Sequence, residues 1–275
     1  MKPQKTAHLS ESKGNAQELP DIENRTVGFL DILGFKDKIS TVNLAELAHK
    51  YERLIVQTDA ANRPVGEFSD HPRLFPNHPI GSPYCHRFIF SDSIILISLD
   101  DSEESSLKLV IYFWRLMQTM LATGFLPRGA ISFGDMYINS DHQIFLGTAL
   151  TEAAVLEGLQ EWSGACLHPS LTEKFPNVQS LPMITKYDVP LKNQSQEELY
   201  TVNWRFNLIV ENGTGSLFLD NDDPRVLRKK ENFLAYAKLM RKKGAYIKNE
   251  NQLPVELRSC WIGGKEPPFP HGDEY

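Results

Sequence analysis

An apolar run that ends in a carboxylate and then a glycine constrains this chain more than any other feature. Residues Thr26 to Leu33 read as a buried strand, yet "FLDILGFKDKI" sets Asp31 near its end and Gly34 just beyond it. A carboxylate at the end of a core strand costs free energy unless something pairs with it. The rest of the chain has to supply that partner.

After Gly34 the period changes. Leu44, Leu47, Ala48, Tyr51, Leu54 and Ile55 recur at helical spacing, so a strand, a tight turn and an amphipathic helix are predicted in succession. The proline-rich stretch from Asn62 to Tyr84 has no period and reads as a long loop, of the kind that often borders a site. "HRFIFSDSIILISL" then gives two apolar runs broken by Ser91-Asp92-Ser93, a hairpin with a polar tip. Helical spacing returns from Ser105 to Ala122 through Leu109, Phe113, Leu116, Met117 and Met120. Strands follow in "RGAISFGDMYI" and "QIFLG", a helix from about Thr148 to Leu159, and a late strand in "LYTVNW". A basic amphipathic helix around Arg225 to Lys242 precedes a Pro/Gly-rich tail.

The order strand, helix, strand, strand, helix, strand is that of an α+β, ferredoxin-like split βαβ unit with an antiparallel central sheet. Residues 1–24 read as a flexible leader, 25–205 as the main domain and 206–275 as a C-terminal helical extension. In this topology the first strand lies antiparallel beside the third, so Asp31 falls next to the turn that Asp92 caps. Two carboxylates brought together repel, and either one takes a proton or both bind a cation. Oxygen-only ligation suits Mg²⁺ or Mn²⁺, and two such ions about 3.5–4 Å apart can clamp the oxygens of phosphoryl transfer. Helix capping by Asp31 and a turn role for Asp92 are the ordinary alternatives.

Four stretches resemble the motifs of class III nucleotidyl cyclases, in family order, over residues 26–204. "FLDILGFKDKI" is similar to the first metal-binding strand. "FSDSIILIS" resembles the second metal motif, with Ser91-Asp92 where Gly-Asp is usual. "LPRGAISFGDMY" resembles the Arg-x-Gly-Ile-x-x-Gly strand, and "FLGTALTEAAVLEGLQEWSGACLHPSL" the Gly-x-x-Val-Asn-x-Ala-x-Arg-Leu-Glu helix and the strand after it. The resemblance implies that Asp31 and Asp92 are metal ligands, assisted by the Ile32 carbonyl, with two Mg²⁺ or Mn²⁺ per site. It also implies a homodimer with catalytic sites between subunits.

The departures narrow the substrate. The base-selecting positions of the family fall on Phe88 and Ile144, the ribose-binding asparagine on Thr151, and the arginine that steadies the transition state on Val155. Loss of the hydrogen-bonding pair counts against a purine, and loss of the arginine counts against turnover itself. The pyrimidine cyclases of bacterial antiphage systems fit these departures better. They are compact cytoplasmic proteins that make cyclic UMP or cyclic CMP for a separate effector. That resemblance implies UTP, or else CTP, as substrate, and makes Tyr51 and Arg87 the matching pocket residues. Remaining alternatives are a purine cyclase, a non-catalytic cyclase-fold nucleotide binder or regulator, and a palm-type polymerase or cyclic-dinucleotide synthase. The last would need a Gly-Gly-Asp turn that Phe90-Ser91-Asp92-Ser93 lacks.

Arg128 begins its strand as either a phosphate contact or a solvated charge. Lys186 and Lys192 fall in the loop before the last strand, where either could reach phosphate. His71 and His78 share a loop without the pattern of a zinc site. The chain has 275 residues and a net charge of −6, which argues against nucleic acid as partner. Phe233, Leu234, Ala237 and Met240 on one face make the basic helix a packing element. Cys85, Cys166 and Cys260 are scattered and odd in number, so no disulfide framework is expected. The polar N-terminal residues and the absence of any run near the roughly 20 apolar residues of a membrane span predict a cytoplasmic protein.

Overall fold

The computed structural model describes residues 21–61, 84–204, 218 and 222–242. The expectations for residues 1–20, for 62–83 with His71 and His78, and for 243–275 with Cys260 lie outside the described residues, while Glu23 and Asn24, expected in the leader, belong to the first strand.

Strand β1 (Glu23–Leu33) stops at Gly34, whose left-handed backbone (φ +71°) turns the chain into α1 (Phe35–Thr41). Val42 is extended, and Asn43 then caps α2 (Leu44–Ala61), its side-chain oxygen accepting from the Ala45 N–H at 2.9 Å. Where the spacing predicts one helix there are therefore two. The hairpin forms as expected. Strands β2 (Cys85–Phe90) and β3 (Ser93–Ser98) are joined by Ser91 and Asp92 alone, and Ser91 takes φ +55°, the left-handed first position of a two-residue turn.

Helix α3 (Glu103–Ala122) starts at Ser102, whose hydroxyl accepts from the Ser105 N–H at 3.1 Å. Strand β4 (Leu126–Asn139) is followed by short β5 (Ile144–Leu146), which pairs back on it, and by α4 (Thr148–Leu159). Then come β6 (Ala165–Leu167), α5 (Pro169–Lys174), β7 (Ile184–Pro190), β8 (Gln196–Val202) and α6 (Pro224–Lys242).

The strands form one sheet in the order β2-β3-β1-β4-β6-β8-β7. Strand β1 is antiparallel to both β3 and β4, so the first six major elements make the predicted split βαβ unit. Strand β6 runs parallel to β4, and β8 and β7 extend the sheet antiparallel.

Alternation along the strands separates two apolar faces. Leu30, Ile32, Ile94 and Leu96 pack with α2 and α3 through Leu54, Leu109 and Phe113. Helix α3 comes so close that a Cβ on Gly28 would lie 2.7 Å from the Phe113 ring. On the other face Val27, Ile97 and Met136 pack with Ala149 of α4. Helix α6 shares the main core: Tyr236 meets Trp162 edge-on at 4.7 Å between ring centroids, and Phe233 stacks on Trp204 at 4.7 Å. The basic helix thus packs through Phe233, Tyr236 and Met240, with Ala237 partly buried beside them, whereas Leu234, expected on that face, is exposed because it lies one residue round the helix from the buried row. Lys186 belongs to β7 and not to a loop, because Ile184–Pro190 finds a full ladder partner in β8. Among the described residues no helix is long and apolar enough to cross a membrane.

Candidate active site

Strand β1 carries Asp31 to one end of the sheet, and the β2–β3 turn stands against it. Asp31 faces Ser93 across the β1–β3 ladder, and the Ile32 N–H donates to the Asp92 carbonyl at 3.2 Å. An extended residue turns its N–H and C=O to the same side, so the Ile32 carbonyl also points at the turn. Burial raises the Asp31 carboxyl from 3.8 to about 6, and the charges of Glu157 and Asp92 push it the same way. Arg128 and a backbone N–H oppose that rise.

Tyr51 reaches this turn from α2. Its hydroxyl donates to the Ser91 carbonyl at 2.6 Å, and its ring packs against Phe35 and Phe125. Burial, followed by the Asp92 charge, pushes the phenol up to about 12, so it stays protonated and a donor. Arg87 lies on the same helix-covered side, its guanidinium 3.4 Å from the Tyr112 hydroxyl and within electrostatic reach of Tyr51. Phe88 points to the opposite face, against Phe145 at 4.2 Å between centroids. Ile144, on β5, is exposed.

Two of the predicted residues lie on α4. The Thr151 hydroxyl is turned back to the Gly147 carbonyl at 3.0 Å, and Val155 is exposed. Lys186 pairs with Glu198 at 2.6 Å on the surface of β7. Lys192 sits between β7 and β8, its N–H donating to the Leu159 carbonyl at 2.9 Å. It shares the electrostatic neighbourhood of Lys229 in α6, whose ammonium is held below lysine's ordinary range by burial and by Arg128.

Arg128 is neither solvated nor open to a phosphate. It is buried directly opposite Asp31 in the β1–β4 ladder. Its Nε donates to Glu157, its Nη1 lies 3.4 Å from the Gln160 carbonyl, and its Nη2 is 3.8 Å from Asp31 Oδ2. Glu157 and Gln160 were not singled out by sequence reasoning. The available signal was an acid set in the apolar helical run "AAVLEGL", on the motif helix itself.

Asp31, Asp92, Glu157 and Arg128 leave this sheet end with surplus negative charge and only oxygen donors. Among the described residues no three His, Cys, Asp or Glu side chains form a complete metal cage. Two carboxylates, with water and phosphate oxygens completing the shell, match the habits of Mg²⁺ and Mn²⁺ and so fit those ions.

No family model matches the chain, and no curated protein matches it either. Among solved structures it is similar to the adenylyl cyclase CyaB from P. aeruginosa, at 12% identity and TM-score 0.46, over 67% of this chain and 95% of that one. It is similar to the catalytic core of a rhodopsin-guanylyl cyclase with converted specificity in complex with ATPalphaS, at 13% identity and TM-score 0.48, over 66% and 96%. A third is the adenylate/guanylate cyclase/hydrolase from Silicibacter pomeroyi, at 16% identity and TM-score 0.39, over 66% and 97%.

Proposed function

We propose that this chain is a nucleotidyl cyclase that converts a pyrimidine nucleoside triphosphate, UTP before CTP, to its 3′,5′-cyclic monophosphate and pyrophosphate. The observation that carries the reading is the convergence of the β1 carboxylate, Asp31, with the turn that holds Asp92, inside a split βαβ core. The order of the four motifs supports it.

Asp31, Asp92 and the Ile32 carbonyl would hold Mg²⁺ or Mn²⁺, two per site. Bound there, divalent cations make the ribose 3′-hydroxyl more acidic and offset phosphate charge. The chain's own groups orient the reaction. Tyr51 fixes the Ser91–Asp92 turn through its hydrogen bond, so that one carboxylate stays aligned with the other. Phe88 and Phe145 offer a base an aromatic wall without hydrogen-bonding groups, which favours discrimination by shape and stacking. Val155 and Leu159 of α4 and Leu146 of adjoining β5 are exposed apolar side chains. They support a homodimer in which each subunit completes the other's site. The cyclic nucleotide would act on a separate effector, in the antiviral signalling role that the motif resemblance implies.

The test is direct. Purified protein is incubated with each of the four nucleoside triphosphates and Mn²⁺, and product is sought by mass spectrometry. Cyclic UMP or cyclic CMP with pyrophosphate is expected. No product from UTP or CTP overturns the pyrimidine reading, and cyclic AMP or cyclic GMP redirects it to purines. A second reading, nucleotide binding without turnover, is favoured by Thr151 and Val155, where ribose- and phosphate-binding side chains would otherwise stand. It predicts nucleotide affinity with no cyclic product from any of the four.

A further inference from the structure

Arg128 and Glu157 have no part in the chemistry just described, yet both are charged and buried, at 8% and 6% exposure. Burying an ion pair is rarely a net gain in stability over apolar packing, so its placement asks for another explanation. The guanidinium faces two carboxylates from two elements, Glu157 of α4 and Asp31 of β1, and treats them unequally. Glu157 receives the short, direct bond from Nε, while Asp31 Oδ2 stays 3.8 Å from Nη2.

The short side of this fork is fixed. Gln160, whose carbonyl lies 3.4 Å from Arg128 Nη1, is itself locked in place. Its Nε2 donates to the Gly129 carbonyl at 2.9 Å and to the Leu156 carbonyl at 3.0 Å, and its Oε1 accepts from Trp162 Nε1 at 2.7 Å. The end of α4 is thus a rigid anchor that draws the guanidinium toward the helix. If the Glu157 charge were gone, Asp31 would be the one carboxylate left within 4 Å of Arg128 among the described residues. Arg128 would then close on it and compete with any cation for the same oxygens.

We propose that Glu157 is a positioning residue that draws Arg128 away from Asp31 and so reserves the Asp31 carboxylate for a divalent cation. The inference rests on the cation-binding reading of Asp31 and gives that site an outer support. Partners of this kind typically change metal affinity 10–100-fold when lost, here about tenfold or more. A role limited to pinning α4 on the sheet would instead lower stability and leave the metal affinity of the folded protein alone.

The experiment titrates Mn²⁺ into nucleotide-free protein and follows the free-Mn²⁺ signal by electron paramagnetic resonance, with folding checked by circular dichroism. Wild type is compared with E157Q, R128M/E157Q and Asp31→Asn. Expected are binding by wild type that Asp31→Asn loses, affinity about tenfold weaker in E157Q, and recovery to at least the wild-type value in R128M/E157Q. Wild-type affinity in E157Q overturns the inference, as does a double variant no tighter than E157Q. If E157Q does not fold, the neutral double variant alone decides, and weaker binding than wild type overturns the inference. Wild type and Asp31→Asn behaving alike would sink the cation reading of Asp31 itself, a failure distinct from the other two.

Discussion

The Tyr51 hydroxyl donates to the Ser91 carbonyl at 2.6 Å, so a helix residue forty positions upstream holds the turn that carries Asp92. Loss of that bond in Tyr51→Phe should cost about 1 kcal/mol of stability. The ring keeps its packing on Phe35 and Phe125, so the change tests the hydrogen bond alone. The proposed cyclase activity should fall about tenfold, mostly in kcat, because a looser Asp92 would misalign groups that act together. Denaturant unfolding and steady-state kinetics on one preparation check both parts.

Ser91 occupies the left-handed region at φ +55°, where a side chain costs roughly 1–2 kcal/mol. Ser91→Gly should relieve most of that strain, less the extra freedom glycine has in the unfolded chain. A gain of up to about 1 kcal/mol is expected, or about 2–4 °C in Tm. Because Tyr51 bonds the main-chain carbonyl, the turn keeps its tether. A lower Tm would show that the Ser91 side chain does more than tolerate its conformation.

Asp31 is expected to trade stability for function. Burial raises its carboxyl from 3.8 to about 6 in the folded protein, so the folded state binds the extra proton between those values. Stability from this group therefore falls as pH rises from about 4 to about 6. Above that window the ionised carboxylate costs roughly 3 kcal/mol. With chelator present, Asp31→Asn should match wild type near pH 4 and exceed it by roughly that amount at pH 7, while losing activity. Urea unfolding across pH 4–8 reads the difference directly, and a flat difference rejects the cause.

Val155 and Leu159 lie one helical turn apart on α4, and both are exposed. Leu159→Glu should leave the monomer folded and abolish the proposed dimer by placing a charge in its apolar contact. Light scattering should then report a monomer, and activity should fall more than tenfold if each site needs both subunits. Activity unchanged in a monomeric Leu159→Glu would mean that one chain suffices.

The period change after Gly34, the two-residue break at Ser91-Asp92 and the spacing from Leu109 to Met120 were enough to read the strand and helix order. Topology then sets β3 beside β1, because the split βαβ arrangement leaves no other neighbour on that side. What eluded the sequence were contacts between elements. Arg128 looks like a strand-opening surface charge, and only the packing of α4 on β4 reveals that Glu157 and Gln160 enclose it. Tyr51 has the spacing of a core-edge aromatic, which it is; its hydroxyl finds Ser91 only after the hairpin is in place. Lys186 stands on β7, an edge strand whose mostly polar middle reads as a loop in the sequence.

Strand β1 is clamped by eleven paired residues on one side and five on the other, while the positions proposed to meet the base and ribose fall at the margins. Phe88 lies on an edge strand, Ile144 on a three-residue strand, and Thr151 on the outer side of α4. Mutations at those margins can accumulate without loosening the interior that sets the carboxylates. On the proposed function, a lineage with this architecture is free to drift from one nucleobase to another while inheriting its phosphate chemistry intact.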